Sequence, residues 1–180
     1  MPRPKEVLVV TDPLHHRRSI RLPTHDYSMP GAYFVTICTR ERECVLGDIV
    51  DGTFVESTVG GVVRETWAFL PCRFPSLTAD AFVVMPNHVH GILVFEGAAT
   101  GGAASSAPTL GRVVRVFKSM SVVEGNRALG NVGPFWQRNY FERVVRDDEE
   151  LERIRAYIVE NPARWAEDEE NPYRVSETIS

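Results

Sequence analysis

The chain has 180 residues, 43% of them hydrophobic, which is enough for one ordinary core and argues against two domains. A formal net charge of -4, from 20 basic and 24 acidic side chains, speaks against a general nucleic-acid coat protein, and Cys38, Cys44 and Cys72 match neither a disulfide framework nor the Cys-x-x-Cys spacing of a zinc ribbon. No apolar run is long enough to span a bilayer and the N-terminus lacks a signal-type apolar stretch, so a cytoplasmic protein in a reducing compartment is expected.

Charge is unevenly spread along the chain. Residues 142–180 hold twelve acidic and six basic side chains, which leaves residues 1–141 with a net +2. Within residues 104–141, Arg112, Arg115, Lys118, Arg127 and Arg138 face Glu124 alone. Such a basic sector suits an anionic polymer, and equally a solvated helix face.

In chain order, residues 1–30 carry Arg17, Arg18 and Arg21 among several prolines and read as a basic arm, with His15, His16 and His25 at its surface. Residues 31–165 read as a single domain and residues 166–180 as an acidic tail. The β-branched and aromatic run at 33–39 predicts a first strand. A second extended piece is expected over 44–55, broken at Gly47 and Asp51-Gly52. Gly60-Gly61 opens a predicted helix that continues to about Leu70, its stripe made by Val62, Val63, Thr66, Trp67 and Leu70, and Pro71 ends it. Residues 78–85 and 88–95 are two apolar runs joined by a tight Pro86-Asn87 turn. The Gly-, Ala-, Ser- and Thr-rich stretch at 96–108 predicts a mobile loop.

A second helix is expected from Leu110 to about Glu124, with Val113, Val114, Phe117 and Met120 inward and Arg112, Arg115 and Lys118 on other faces. Alternation over 135–145 predicts a last strand. Asp147 and Asp148 suit the start of a third helix that runs from Asp148 to Asn161, where Pro162 disfavours further α geometry. The resulting order, strand, helix, strand, strand, helix, strand, helix, is an α+β pattern. It predicts a ferredoxin-like antiparallel four-stranded sheet with two helices on one face plus a C-terminal helix packed nearby.

The chemistry concentrates in two places. His88 and His90 open a strand two residues apart, so both imidazoles project from one face and can share a divalent metal ion; two polar side chains on a solvated sheet face are the plainer reading. On the third helix Leu151, Ile154 and Ile158 form the apolar stripe, with Tyr157 and Asn161 side by side along its edge. A tyrosine there is commonly a core-edge aromatic. Beside a metal site it can act differently, because a phenol of pKa ~10 is a poor nucleophile until a cation polarises the phosphate it attacks.

Taken together, Arg18-Ser19-Ile20-Arg21-Leu22, the stretch at 31–39, Met85-Pro86-Asn87-His88-Val89-His90, residues 110–119, Phe135-Trp136-Gln137-Arg138-Asn139-Tyr140 and Tyr157-Ile158-Val159-Glu160-Asn161-Pro162 resemble the REP-associated tyrosine transposases. These belong to the larger group of single-tyrosine HUH transposases of insertion sequences. The resemblance implies cleavage and rejoining of single-stranded hairpin DNA, with Tyr157 as nucleophile and a 5′-phosphotyrosine intermediate. It further implies Mg²⁺ or Mn²⁺ held by His88, His90 and Asn161, and a nucleoid-associated monomer or homodimer. Arg115, Lys118, Arg138 and Tyr140 are the candidate DNA contacts, together with Arg18 and Arg21 of the arm. Two other readings stay open: a domesticated DNA-binding regulator with the same fold and little catalysis, and a metal-dependent phosphodiesterase that uses water.

Overall fold

A computed structural model describes residues 30–96, 108–130 and 133–174. Strands β1 (Gly31–Cys38), β4 (Leu77–Met85), β5 (His88–Phe95) and β6 (Phe141–Val145) form one antiparallel sheet in the order β4-β5-β1-β6. This is the spatial order that two split βαβ units give. Helices α1 (Thr58–Arg73) and α2 (Leu110–Leu129) cover one face, and α3 (Asp148–Glu160) lies on the other.

Period-two alternation divides the sheet between its two cores. Tyr33, Val35, Ile37, Val89 and Leu93 pack with Val63, Trp67 and Leu70 of α1 and Val113, Val114 and Phe117 of α2. Phe34 and Ile92 turn the other way, onto Ile154 and Ile158 of α3. Gly91, between Val89 and Leu93 on the face covered by α1 and α2, has no room for a side chain, since a methyl group there would land against the indole of Trp67.

Several elements differ from the sequence expectation. The extended piece at 44–55 is a hairpin, β2 (Gly47–Val50) with β3 (Thr53–Glu56), outside the main sheet. Its turn residues Asp51 and Gly52 both have positive φ, 50° and 72°, so Asp-Gly reverses the chain rather than merely interrupting it. Helix α1 starts earlier than Gly60, because the Ser57 hydroxyl caps it by accepting from the Gly60 N–H at 3.0 Å. It also runs past Pro71, which sits in the last turn. Helix α2 extends beyond Glu124 to Leu129 because its buried stripe continues through the small residues Ser121 and Gly125. The last strand is only 141–145; residues 135–140 are tied down by other bonds, the Trp136 indole donating to Ser121 Oγ at 2.9 Å. The mobile-loop expectation falls mostly on residues 97–107, outside the described residues, as do the basic arm, Arg18 and Arg21.

Helix α3 is fastened to β4 as well as packed on it. A bulge in β4 between Ala79 and Phe82 brings Asp80 to Arg155, whose Nε donates to the carboxylate at 2.8 Å. That guanidinium contact, with the Ala81 N–H as a further donor, holds the Asp80 carboxyl below its ordinary value of 3.8. A carboxyl lowered on folding contributes stability above its unfolded pKa and loses it as pH falls through the folded one. Asp80→Asn is therefore expected to melt at a lower temperature than the parent at neutral pH. Thermal melts at a series of pH values should show the gap closing as pH drops below 3.8.

Candidate active site

His88 and His90 are fully buried at the start of β5, on the α3 face of the sheet. The β1–β5 register sets Thr36 opposite His90, and its hydroxyl meets His90 Nδ1 at 2.8 Å. In the turn before β5, Asn87 donates its amide N–H groups to the carbonyls of Arg42 and Glu170, at 3.2 and 2.6 Å. Those bonds fix which end of the amide is oxygen, so Asn87 Oδ1 must accept the His88 Nδ1–H at 2.8 Å. In the neutral imidazole His88 Nε2 then carries the lone pair, 3.0 Å from His90 Nε2.

Two imidazole nitrogens this close need something positive between them, either a proton or a metal ion. The Thr36 hydroxyl both donates and accepts, so it supports His90 in either tautomer. An outer partner on each Nδ1 is the arrangement that orients metal-ligating histidines.

Helix α3 brings Tyr157 to this pair. With Ile154 and Ile158 buried on Phe34 and Ile92, the tyrosine at the flank of the stripe reaches over His90, its hydroxyl 3.3 Å from Nε2. Phe34 stacks on His90 with ring centres 5.4 Å apart and meets Tyr157 edge-on at 6.1 Å, which fixes both rings. Tyr157 stands in the last turn of α3, where the helix dipole favours a cation.

Beyond α3 the chain does not dissolve into solvent. A 3₁₀ segment, Asn161–Glu167, carries on from the helix and is followed by Asp168 and Glu170, both buried. Asp168 Oδ2 comes within 3.9 Å of His88 Nε2, and potential ligand atoms of His88, His90 and Asp168 all lie within 4.8 Å of one another. Asp168 was invisible to sequence reasoning because it sits in the run Glu167-Asp168-Glu169-Glu170, which reads as part of an acidic, partly ordered tail. The signal available was Trp165 just before it, an apolar ring in a charged stretch, here near His88 at 6.1 Å between ring centres.

The donor set fits a divalent cation. It offers two imidazole nitrogens with oriented outer partners and a carboxylate oxygen. Asn161, expected as a ligand, is buried, and its amide oxygen has no hydrogen-bond partner among the described residues. A cation satisfies such an orphan oxygen. Tyr157, Asn161 and Asp168 line one cleft of about 380 Å³, with Arg164 and Arg174 at its rim.

The candidate DNA contacts lie elsewhere. Arg115, Lys118, Arg138 and Tyr140 line a separate groove of about 740 Å³ between α2 and the segment before β6. Arg115 and Arg138 are its exposed cations. Lys118 is engaged instead: its ammonium donates to the carbonyls of Gln137, Arg138 and Asn139 at 2.9, 3.3 and 3.0 Å and sits 5.5 Å over the Tyr140 ring. Burial pushes its pKa down to about 8. The segment before β6 is bonded to the end of β1, since Gln137 N donates to Cys38 O.

No helix among the described residues is long and apolar enough to cross a membrane. No family model matches the chain. An uncharacterised protein of Haemophilus influenzae is 36% identical over 169 residues, covering 87% of this chain and 93% of that one. Among solved structures, a REP-associated tyrosine transposase bound to a REP hairpin superposes with a TM-score of 0.55 at 21% identity, covering 78% of this chain and 72% of that one. The chain thus belongs to one family with the Haemophilus influenzae protein, and its four-stranded antiparallel sheet with three helices is the fold of a REP-associated tyrosine transposase.

Proposed function

We propose that the protein is a metal-dependent transposase that nicks and rejoins single-stranded hairpin DNA through a covalent bond to Tyr157. The observation that carries this reading is the Tyr157 hydroxyl 3.3 Å from His90 Nε2, beside the cluster of His88, His90 and Asp168. A phenol placed there is where a nucleophile must be if a phosphate is bound at the cluster.

His88, His90 and Asp168 would hold the cation, with the Asn161 amide oxygen as a further donor. The imidazole-rich set favours Mn²⁺ over Mg²⁺, which prefers oxygen ligands. The cation, when bound, neutralises charge that builds on the phosphate oxygens. In the chemical step the Tyr157 Oη–P bond forms as the P–O3′ bond breaks. The phenolic proton leaves to water, and the departing oxygen takes up a proton to become a free 3′-hydroxyl. The DNA 5′ end remains as an ester on Tyr157, and rejoining is the same exchange in reverse with a 3′-hydroxyl as attacker. No ATP is needed, because the ester keeps the energy of the broken phosphodiester.

One chain supplies both the tyrosine and the imidazoles, which supports an active site complete within a single subunit. The hairpin bound by the transposase of similar fold supports hairpin DNA as substrate. The groove of Arg115, Arg138 and Tyr140 suits the phosphate backbone and stacked bases that flank the cut.

The experiment is incubation with a labelled hairpin carrying single-stranded flanks, in Mn²⁺ or in EDTA, followed by denaturing electrophoresis. The expected result is a protein–DNA complex that survives denaturation and forms only with metal. Tight binding with no covalent complex under any divalent cation would instead favour the regulatory reading.

A further inference from the structure

We infer that Arg42 is a positioning residue that holds both sides of the cation site, so that residues 168–170 act as a built part of that site. The inference rests on the metal-site reading given above. From its side chain, Arg42 donates to the Glu169 carbonyl at 3.1 Å and pairs with the Glu170 carboxylate at 2.8 Å. The pair is largely shielded, its side chains 26% and 10% exposed, so it is not an ordinary surface contact. Glu170 in turn donates its backbone N–H to Asp168 Oδ1 at 2.6 Å. That bond occupies one carboxylate oxygen and leaves Oδ2 as the one that faces His88 Nε2.

From its backbone, Arg42 acts on the other ligand. Its carbonyl accepts from Asn87 Nδ2, and Asn87 orients His88 through Nδ1. The same Asn87 amide also bonds the Glu170 carbonyl, which closes the network. Cys38 adds a donor: burial pushes its thiol up to about 12, so it stays protonated and donates to Glu170 Oε2 at 3.6 Å.

The local backbone is bent to serve this geometry. Glu41 and Arg42 both take positive φ, 54° and 59°, a region that residues with a Cβ seldom occupy. Strain of this kind persists where surrounding structure imposes it, and here the turn presents a carbonyl and a guanidinium to one network.

The test is Mn²⁺ affinity of the full chain by calorimetry after removal of bound metal, for the wild type, Arg42→Ala, Arg42→Lys, Glu170→Gln and His88→Ala. Arg64→Ala, which removes an exposed ion pair with Glu56, serves as the control. Arg42→Ala and Glu170→Gln are expected to weaken Mn²⁺ about tenfold, the low end of the effect of losing an outer partner of a metal ligand, because both side chains act on Asp168 through the placement of the Glu170 backbone. Arg42→Lys recovers part of the loss, and Arg64→Ala has wild-type affinity. Glu170→Gln keeps the side chain's size and decides the matter if Arg42→Ala does not fold. Wild-type affinity in Arg42→Ala and Glu170→Gln, with none in His88→Ala, overturns the role of Arg42 and leaves the metal site standing. No Mn²⁺ binding by the wild type overturns the metal site itself.

Discussion

Tyr157→Phe is expected to abolish the covalent protein–DNA complex while leaving the protein folded and able to bind metal and DNA. The phenyl ring keeps the edge-on contact with Phe34 and the packing beside Ile154 and Ile158, while the 3.3 Å contact of the hydroxyl with His90 Nε2 is lost. Loss of one such contact costs about 1 kcal/mol or less of stability. For the reaction the loss is of another order, because no other group takes over as nucleophile; a fall in cleavage of at least about 10³-fold is expected. The measurement is the rate of hairpin cleavage under single-turnover conditions, with DNA affinity measured in parallel. Cleavage that survives in Tyr157→Phe would assign the attack to water and make the protein a phosphodiesterase.

His90→Ala and His88→Ala form the second large effect, and they act one step earlier. Removal of either imidazole takes a ligand from the cluster, so Mn²⁺ affinity should fall at least about 100-fold, more than the loss of an outer partner produces. Covalent complex formation should fall with it. His88→Ala also strands Asn87 Oδ1 without its donor, a cost of about 1–3 kcal/mol when buried. His90→Gln is the gentler variant, since it keeps a polar group beside Thr36. Calorimetry with Mn²⁺ on folded protein, verified by thermal melting, checks this prediction. Retained affinity in both variants would show that the paired imidazoles are not the cation's ligands.

Much of the architecture is legible in the residues themselves, for identifiable reasons. The strands at 31–38, 77–85 and 88–95 are dense in β-branched and aromatic residues, and the Pro86-Asn87 turn between the last two is short enough to force antiparallel pairing. Where the pattern misleads, small or polar residues do the burying. Ser121 and Gly125 carry the buried face of α2 beyond the last large apolar residue, so the hydrophobic stripe alone ends the helix too early. Gly60 packs directly under the Leu46 carbonyl, so it marks a close approach inside α1 rather than its start. Residues 135–140 alternate like a strand, yet Lys118 takes three of their carbonyls and Trp136 reaches Ser121, bonds that no periodicity announces.

At the site the same division holds. The spacing of His88 and His90 and the placement of Tyr157 on one helix face are local facts, readable from period two and period 3.6. What brings them together is the packing of Ile154 and Ile158 on Phe34 and Ile92, a contact between segments far apart in the chain. Asp168, Arg42 and Thr36 were missed because their roles exist only in three dimensions, each joining the cluster through a partner remote in sequence.

The proposed reaction turns on Tyr157 becoming covalently bonded to the 5′ end created at a cut in DNA. Two preparations of one hairpin, labelled at the 5′ end or at the 3′ end, can be reacted with the protein in Mn²⁺ and digested with a protease. Only the 3′-labelled fragment is expected to stay with protein, on the peptide containing Tyr157, and the 5′-labelled fragment to be released with a free 3′-hydroxyl. Label retained on a peptide lacking Tyr157, or cleavage that leaves neither fragment attached, would contradict it.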